Sequence, residues 1–80
     1  MIDTYDEDDK YVVVPECKAV EERDTAIWVE SPEFPNDTPF ALGRVWIPKN
    51  QIHDDSEVFE EDGEGDLIIT EWIANQKDLL

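Results

Sequence analysis

Short runs of β-branched and aromatic residues, separated by polar turns, dominate the hydrophobic pattern of this chain. Such runs, closed by proline or by small polar residues, are typical of β-strands. The first run stops at Pro15, and the strand is expected to resume after a bulge. A later run stops at Pro48. The predicted strands cover residues 11–14 with 18–20, 25–29, 44–47 and 67–69.

The C-terminal residues follow the spacing of a helix instead. Thr70 is a suitable N-cap, Glu71 suits the positive end of a helix dipole, and Lys77 lies near the opposite end. One stripe at helical spacing contains Trp72, Ile73, Gln76, Leu79 and Leu80. These elements predict an α+β, mostly β fold: a small bent antiparallel sheet or barrel of four to five strands, closed by the helix.

Two polar segments lie outside this pattern. Residues 1–9 carry a first acidic block and are expected to form a flexible acidic arm. Residues 31–39 contain three of the five prolines and predict an irregular connection. Residues 10–80 are expected to form a single β-rich domain, because a chain of 80 residues is long enough for only one.

Charge narrows the range of partners. Twenty-two Asp and Glu residues stand against six Lys and Arg, a formal net charge of −16. In so small a domain many of these charges lie within about one Debye length, roughly 8–10 Å, of one another. Their summed field opposes direct binding to DNA, RNA or an anionic membrane. We therefore expect a cationic partner, either a basic protein surface or a metal ion.

The residues that carry most catalytic chemistry are scarce. Cys17 is the only cysteine and His53 the only histidine, and no nucleophile motif surrounds Cys17. A lone cysteine excludes an intramolecular disulfide and a cysteine-based zinc site. The sequence contains no signal-peptide pattern and no apolar run long enough to span a bilayer. We expect a cytoplasmic protein without enzymatic activity or cofactor.

The best candidate for a binding site is the acidic segment, residues 54–66, with eight carboxylates in thirteen residues. Fully extended, it spans at most about 43 Å, so its charges lie about 5 Å apart, against roughly 3.4 Å for the phosphates of a DNA strand. Phe59 is expected to be an exposed apolar anchor within it. The alternative is a solvated loop that only keeps the protein soluble. The expected partner-binding residues are Asp54, Asp55, Glu57, Phe59, Glu60, Glu61, Asp62, Glu64 and Asp66.

A calcium site is a further alternative for the end of this segment. Residues 60–71 match several positions of an EF-hand loop, with Gly65 at the sixth place and Glu71 at the twelfth. Against this, Glu60 stands at the first position, where Asp is normally required, and the preceding residues are too few for a helix. A glycine-supported turn into a strand is the preferred interpretation, with no metal site.

The aromatic residues divide into two groups. Trp28, Trp46 and Trp72 lie in strand or helix patterns and are expected in the core. Phe34 and Phe40 lie in or beside predicted loops, as Phe59 does, so one or two of the three phenylalanines are expected in a contact surface.

The later part of the chain resembles a group of small acidic bacteriophage proteins. The resemblance rests on residues 45–52 (VWIPKNQI), 54–58 (DDSEV) and 65–74 (GDLIITEWIA), which match the group's pattern of a WIPKSQI strand end, an acidic loop and a TEW helix start. It covers about residues 20–80, and Asn50 replaces the usual small hydroxyl residue. It implies a phage or prophage source and a compact β-fold, and it brings no catalytic residues with it.

A phage source favours one class of function over others. Small acidic phage proteins of the anti-restriction and anti-CRISPR type occupy a nucleic-acid-binding surface of a host protein. The same class of function is expected for this chain by analogy. We therefore expect an inhibitor that binds a basic nucleic-acid-processing or defence protein of the host. The alternative is a non-inhibitory accessory module of a phage recombination or replication complex.

Overall fold

The computed structural model describes residues 2–5, 10–34 and 43–79. The strands are β1 (Asp3–Thr4), β2 (Tyr11–Glu22), β3 (Ala26–Ser31), β4 (Gly43–Pro48) and β5 (Glu64–Thr70). A 3₁₀ turn at Lys49–Gln51 follows β4, and helix α1 spans Glu71–Gln76. All strand pairs are antiparallel. The predicted fold class is confirmed: the protein is a small bent sheet with one C-terminal helix, and the sheet is open.

Strand β2 is the centre of the sheet, because it is long enough to have three partners. One of its edges pairs with β1 near Val12 and with β3 from Lys18 onward, and β3 then pairs with β4. The other edge pairs with β5 along most of its length. The chain that leaves β4 also reaches β5, where Ile52 forms an isolated bridge to Ile69. Strand β5 therefore lies between β2 and the segment that follows β4.

Strand β2 passes through Pro15, as the predicted bulge allows. The register with β5 shifts between Val14 and Cys17, and Glu16 adopts a positive φ of 58°. A bulge is one of the few sheet positions that tolerate proline, because no ladder hydrogen bond requires its missing N–H. The carbonyl of Pro15 accepts a hydrogen bond from Ser31 Oγ at 3.1 Å. The two predicted runs are thus one continuous strand.

The hydrophobic core forms on one side of the sheet from alternating strand residues. Val12, Val14 and Ile27 are buried while their neighbours face outward, the period-two pattern expected of half-buried strands. Helix α1 adds Ile73, and Val58 of the acidic segment is completely buried in the same cluster. The acidic segment therefore contributes to the core as well as to the surface.

Helix α1 begins where the sequence predicts. Thr70 Oγ1 accepts a hydrogen bond from the N–H of Ile73 at 3.2 Å, which confirms Thr70 as the N-cap, with Glu71 in the first turn. The prediction that Trp28, Trp46 and Trp72 lie in the core is wrong: 60% of the Trp72 surface is exposed, and Trp28 and Trp46 are only half-buried and lie outside the core cluster. The helix is only six residues long, so its buried face needs little more than Ile73 and Ala74.

The predicted arm and connection lie only partly within the described residues. Asp3 and Thr4 pair with β2, and the N–H of Tyr5 donates to the carbonyl of Tyr11 at 2.9 Å. Residues 6–9, residues 35–42 and Leu80 lie outside the described ranges, so the flexible arm stays a prediction there. In the described part of the chain, no helix is long and apolar enough to cross a membrane.

Candidate functional site

The acidic segment is fixed along one side to β5. The N–H of His53 donates to the carbonyl of Ile68 at 2.8 Å, and the N–H of Glu57 donates to the carbonyl of Asp66 at 3.0 Å. The segment therefore follows the edge of β5 that β2 leaves open. Because these are main-chain hydrogen bonds, they hold the backbone of the segment whatever its side chains do.

The far end of the segment is fixed to β2. The N–H of Asp62 donates to the carbonyl of Ala19 at 3.0 Å, and the N–H of Ala19 donates to the carbonyl of Gly63 at 2.9 Å. The N–H of Glu61 donates to Glu22 Oε1 at 3.2 Å. The segment thus leaves one edge of β5 and returns at β2, with hydrogen bonds at both ends.

Ser56 and Val58 fix the middle of the segment from the inside. Ser56 Oγ accepts hydrogen bonds from the N–H groups of Val58, at 3.2 Å, and Ile68, at 3.1 Å, and it donates to the carbonyl of Val58 at 2.8 Å. The Val58 side chain is completely buried. The buried Val58 side chain and these hydrogen bonds therefore fix the backbone positions from which the charged side chains project.

All eight residues of the acidic segment whose carboxylates are predicted to bind a partner are exposed. Within the described ranges, no group of three His, Cys, Asp or Glu side chains is arranged to hold a metal ion. The proposed EF-hand spacing falls largely on the extended strand β5, Glu64–Thr70, where successive side chains point to opposite faces. An extended strand cannot direct these side chains at one ion, so the residues do not fit an EF-hand loop.

The basic side chains pair mostly with acids outside the acidic segment. The ion pairs are Lys18–Glu64 at 3.5 Å, Arg23–Glu21 at 3.1 Å, Arg44–Glu30 at 3.2 Å and Lys49–Glu22 at 2.6 Å. Asp55 lies 3.9 Å from His53. Within residues 2–5, 10–34 and 43–79, the other six carboxylates of the segment form no ion pair with Lys, Arg or His. The excess negative charge of the described residues is therefore concentrated on this segment.

An aromatic cluster connects the acidic segment to the beginning of the chain. The Tyr5 hydroxyl donates to Asp55 Oδ2 at 2.6 Å. The His53 ring makes edge contacts with the rings of Tyr5 and Tyr11, at centroid distances of 5.0 and 4.7 Å. His53 Nδ1 accepts a hydrogen bond from the N–H of Asp55 at 3.0 Å. Tyr5, which lies within the first acidic block, is thus held against the acidic segment.

The aromatic residues of the loops take different places. Phe59 is 37% exposed, which confirms the expectation that it lies on the surface among the carboxylates. Phe34 is buried and belongs to the core, and Phe40 lies outside the described residues. Phe59 is therefore the one exposed large apolar side chain among residues 54–66.

Cys17 is a structural residue in this arrangement. Its thiol is buried and donates to the carbonyl of Val14, with Sγ 3.3 Å from the oxygen. Burial raises the pKa of the Cys17 thiol to about 12, so the nucleophilic thiolate is scarce near neutral pH.

Two residues of the site were missed from the sequence. Tyr5 was assigned to a flexible arm, and only its pairing beside β2 brings it to Asp55. The local hydrogen bonds of Ser56 could have been predicted, since a serine inside a polar loop commonly bonds to nearby backbone groups. Its long-range partner Ile68 could not be read from local spacing.

Comparison with known proteins adds no further information about this site: the chain matches no family model, no curated protein and no solved structure.

Proposed function

We propose that this protein binds and inhibits a basic nucleic-acid-binding protein of a bacterial host, with the acidic segment replacing the phosphate backbone. The observation that carries this proposal is the group of six exposed carboxylates without ion pairs on a segment whose backbone is bonded at both ends. A loop that only keeps the protein soluble does not need a backbone held by hydrogen bonds. A surface that imitates the phosphate backbone does need one, because ordering the loop only on binding costs conformational entropy.

The spacing of the charges supports this choice of ligand. Eight carboxylates in thirteen consecutive residues correspond to one charge per about 5 Å of extended chain. This density is of the same order as the roughly 3.4 Å spacing of phosphates along a DNA strand. Each carboxylate can accept two parallel hydrogen bonds from one arginine, as a phosphate does. A groove that binds nucleic acid therefore offers suitable donors.

The remainder of the molecule supports binding more than catalysis. The single cysteine is buried and protonated, and the single histidine is held between two tyrosine rings. The resemblance to small acidic phage proteins gives the expected source, and with it a cytoplasmic site of action in the host. Electrostatic attraction between this negatively charged protein and its positively charged partner would speed association, and added salt would weaken it.

Competition with nucleic acid is the direct test. The immobilised protein would be used to capture binding proteins from a bacterial lysate at low salt. Each captured protein would then be purified as a complex with its own DNA or RNA. We expect the acidic protein to displace the nucleic acid in proportion to its occupancy of the target. A stable ternary complex of the three components would contradict inhibition and would favour the accessory module.

A further inference from the structure

A shallow groove with an exposed tryptophan lies beside the start of helix α1. Its walls are formed by Lys10, Tyr11, Gln51, Thr70, Glu71 and Trp72. Trp72 is 60% exposed, the most exposed large apolar side chain among the described residues. Exposed tryptophans in grooves are typical centres of protein contacts. We call this surface the aromatic groove.

The aromatic groove adjoins the acidic segment. Tyr11 forms part of its wall and contacts the ring of His53, with 4.7 Å between the centroids. His53 in turn lies directly before Asp54 and Asp55 in the chain. The aromatic groove is therefore linked to the start of the acidic segment through the contact of Tyr11 with His53.

The chemistry of the aromatic groove suits a guanidinium group. The face of an indole ring attracts a cation, most often that of arginine, and the exposed Glu71 carboxylate beside it can accept hydrogen bonds from the same group. The net charge of −16 excludes an anionic occupant. Lys10 also belongs to the wall, and it already has an interaction partner within the protein.

We propose that the aromatic groove binds an arginine side chain of the same cationic partner, stacked on Trp72 and bonded to Glu71. This inference rests on the proposed function for the identity of the partner, and it adds selectivity for arginine over lysine. The acidic segment attracts both cations and can bind arginine through paired hydrogen bonds, so the selectivity that the groove adds is the part that depends on Trp72. The flat guanidinium stacks on an aromatic ring in a way that a strongly hydrated ammonium does not.

The probes for this proposal are two capped peptides of equal charge, hexa-arginine and hexalysine. Binding would be followed by calorimetry and by the indole N–H resonance of Trp72 in NMR spectra. We expect hexa-arginine to bind roughly fivefold more tightly than hexalysine, and the Trp72 resonance to shift with hexa-arginine. Equal affinities, or an unmoved Trp72 resonance, would overturn the proposal.

Three variants separate stacking from simple apolar contact. Trp72→Leu keeps apolar surface without a π-face and is expected to lower the preference for arginine to that of the acidic segment alone, whereas Trp72→Phe retains more of it. Glu71→Gln is expected to reduce the preference, while the matched control Asp24→Asn, in the turn after β2, leaves it unchanged. A full preference retained by Trp72→Leu would contradict stacking. All four variants change exposed residues, and thermal unfolding would verify that they remain folded.

The two proposals fail in different ways. If the groove does not select arginine, Trp72→Leu keeps the full preference for hexa-arginine, yet displacement of nucleic acid from the captured target is unaffected. If the protein is not an inhibitor, the displacement fails, although hexa-arginine still binds more tightly than hexalysine.

Discussion

Gly65 shows how a single residue positions a carboxylate of the acidic segment. Its φ of +128° is a conformation that side chains other than glycine rarely adopt. A Cβ atom at Gly65 would also lie 2.7 Å from Glu57 Oε2 and 3.1 Å from Glu57 Cβ. The absence of a side chain at Gly65 therefore lets Glu57 lie against strand β5.

We expect Gly65→Ala to destabilise the protein by about 1–3 kcal/mol, because it adds backbone strain to the contact with Glu57. The double variant Glu57→Ala/Gly65→Ala removes the contact and keeps the strain, so it should recover only part of the loss. Urea unfolding measures both. A change of less than about 0.5 kcal/mol in the single variant, as at an ordinary surface position, would contradict this interpretation.

Glu22 links the stability of the fold to pH. The hydrogen bond from Lys49 Nζ, 2.6 Å from Oε2, and then the N–H of Glu61 hold the pKa of Glu22 below its ordinary value. The ionised form is therefore favoured in the folded state. Its contribution to stability is complete above the ordinary value of 4.5 and is lost as the pH falls through the lower, folded pKa.

Glu22→Gln is expected to be less stable than the wild type near neutral pH, because it cannot form the ion pair with Lys49. The difference between the two proteins should shrink as the pH falls below 4.5 toward the folded pKa of Glu22. Urea unfolding at several pH values measures this difference. A difference that does not vary with pH would show that the ion pair contributes nothing.

At the scale of elements, strands β2 to β5 were predictable because each has a local cause. Residues 11–14 and 67–69 are β-branched, aliphatic or aromatic runs that pair with each other, and Thr70 caps the helix in the predicted place. The two-residue strand β1 was not predictable, because Asp3 and Thr4 are too few to form a strand pattern and depend on β2 as a template. Trp72 was wrongly predicted to be buried, because helical spacing alone does not show which residues of the stripe pack against the sheet.

The order of the acidic segment was the least predictable feature of the site. Its composition is that of a disordered segment, with high charge and few apolar residues. What fixes it are single long-range contacts, such as Ser56 with Ile68 and Asp62 with Ala19, together with the burial of Val58. None of these has a periodic signal in the sequence. Composition identified the segment, and only the fold supplied its geometry.

Ser56→Ala should loosen the acidic segment without changing its charge. The substitution leaves two backbone N–H groups without their acceptor, at a cost of about 1–3 kcal/mol. Hydrogen exchange at Val58 and Ile68 should become faster, and affinity for the captured target should fall. The matched control Thr25→Ala removes an exposed hydroxyl elsewhere and should change neither. Unaltered target affinity in a loosened Ser56→Ala variant would mean that order in the segment is irrelevant to binding.

At the scale of the whole molecule, the charge is confined to a very small volume. The radius of gyration is 11.3 Å, comparable with the Debye length of about 8–10 Å at 0.1–0.15 M salt. Carboxylates close to one another on the acidic segment therefore still repel one another. This repulsion opposes the compact state and depends on the ionic strength.

Salt should consequently stabilise the protein. Raising ionic strength from about 0.01 M to about 0.15 M shortens the Debye length from about 30 to about 8 Å. We expect the midpoint of thermal unfolding to rise by roughly 5 °C, corresponding to about 1 kcal/mol in a domain of this size. A constant or falling midpoint in scanning calorimetry would show that the charges are already compensated.

The central claim is that the arrangement of carboxylates on the acidic segment, and not the net charge alone, creates the binding surface. Two triple variants test it at equal charge: Asp54→Lys, Glu60→Lys and Glu61→Lys in the segment, against Asp3→Lys, Glu16→Lys and Asp24→Lys outside it. Each changes the net charge from −16 to −10. We predict that the first loses at least about a hundredfold in affinity for the captured target, whereas the second loses less than about tenfold. Equal losses would contradict the account.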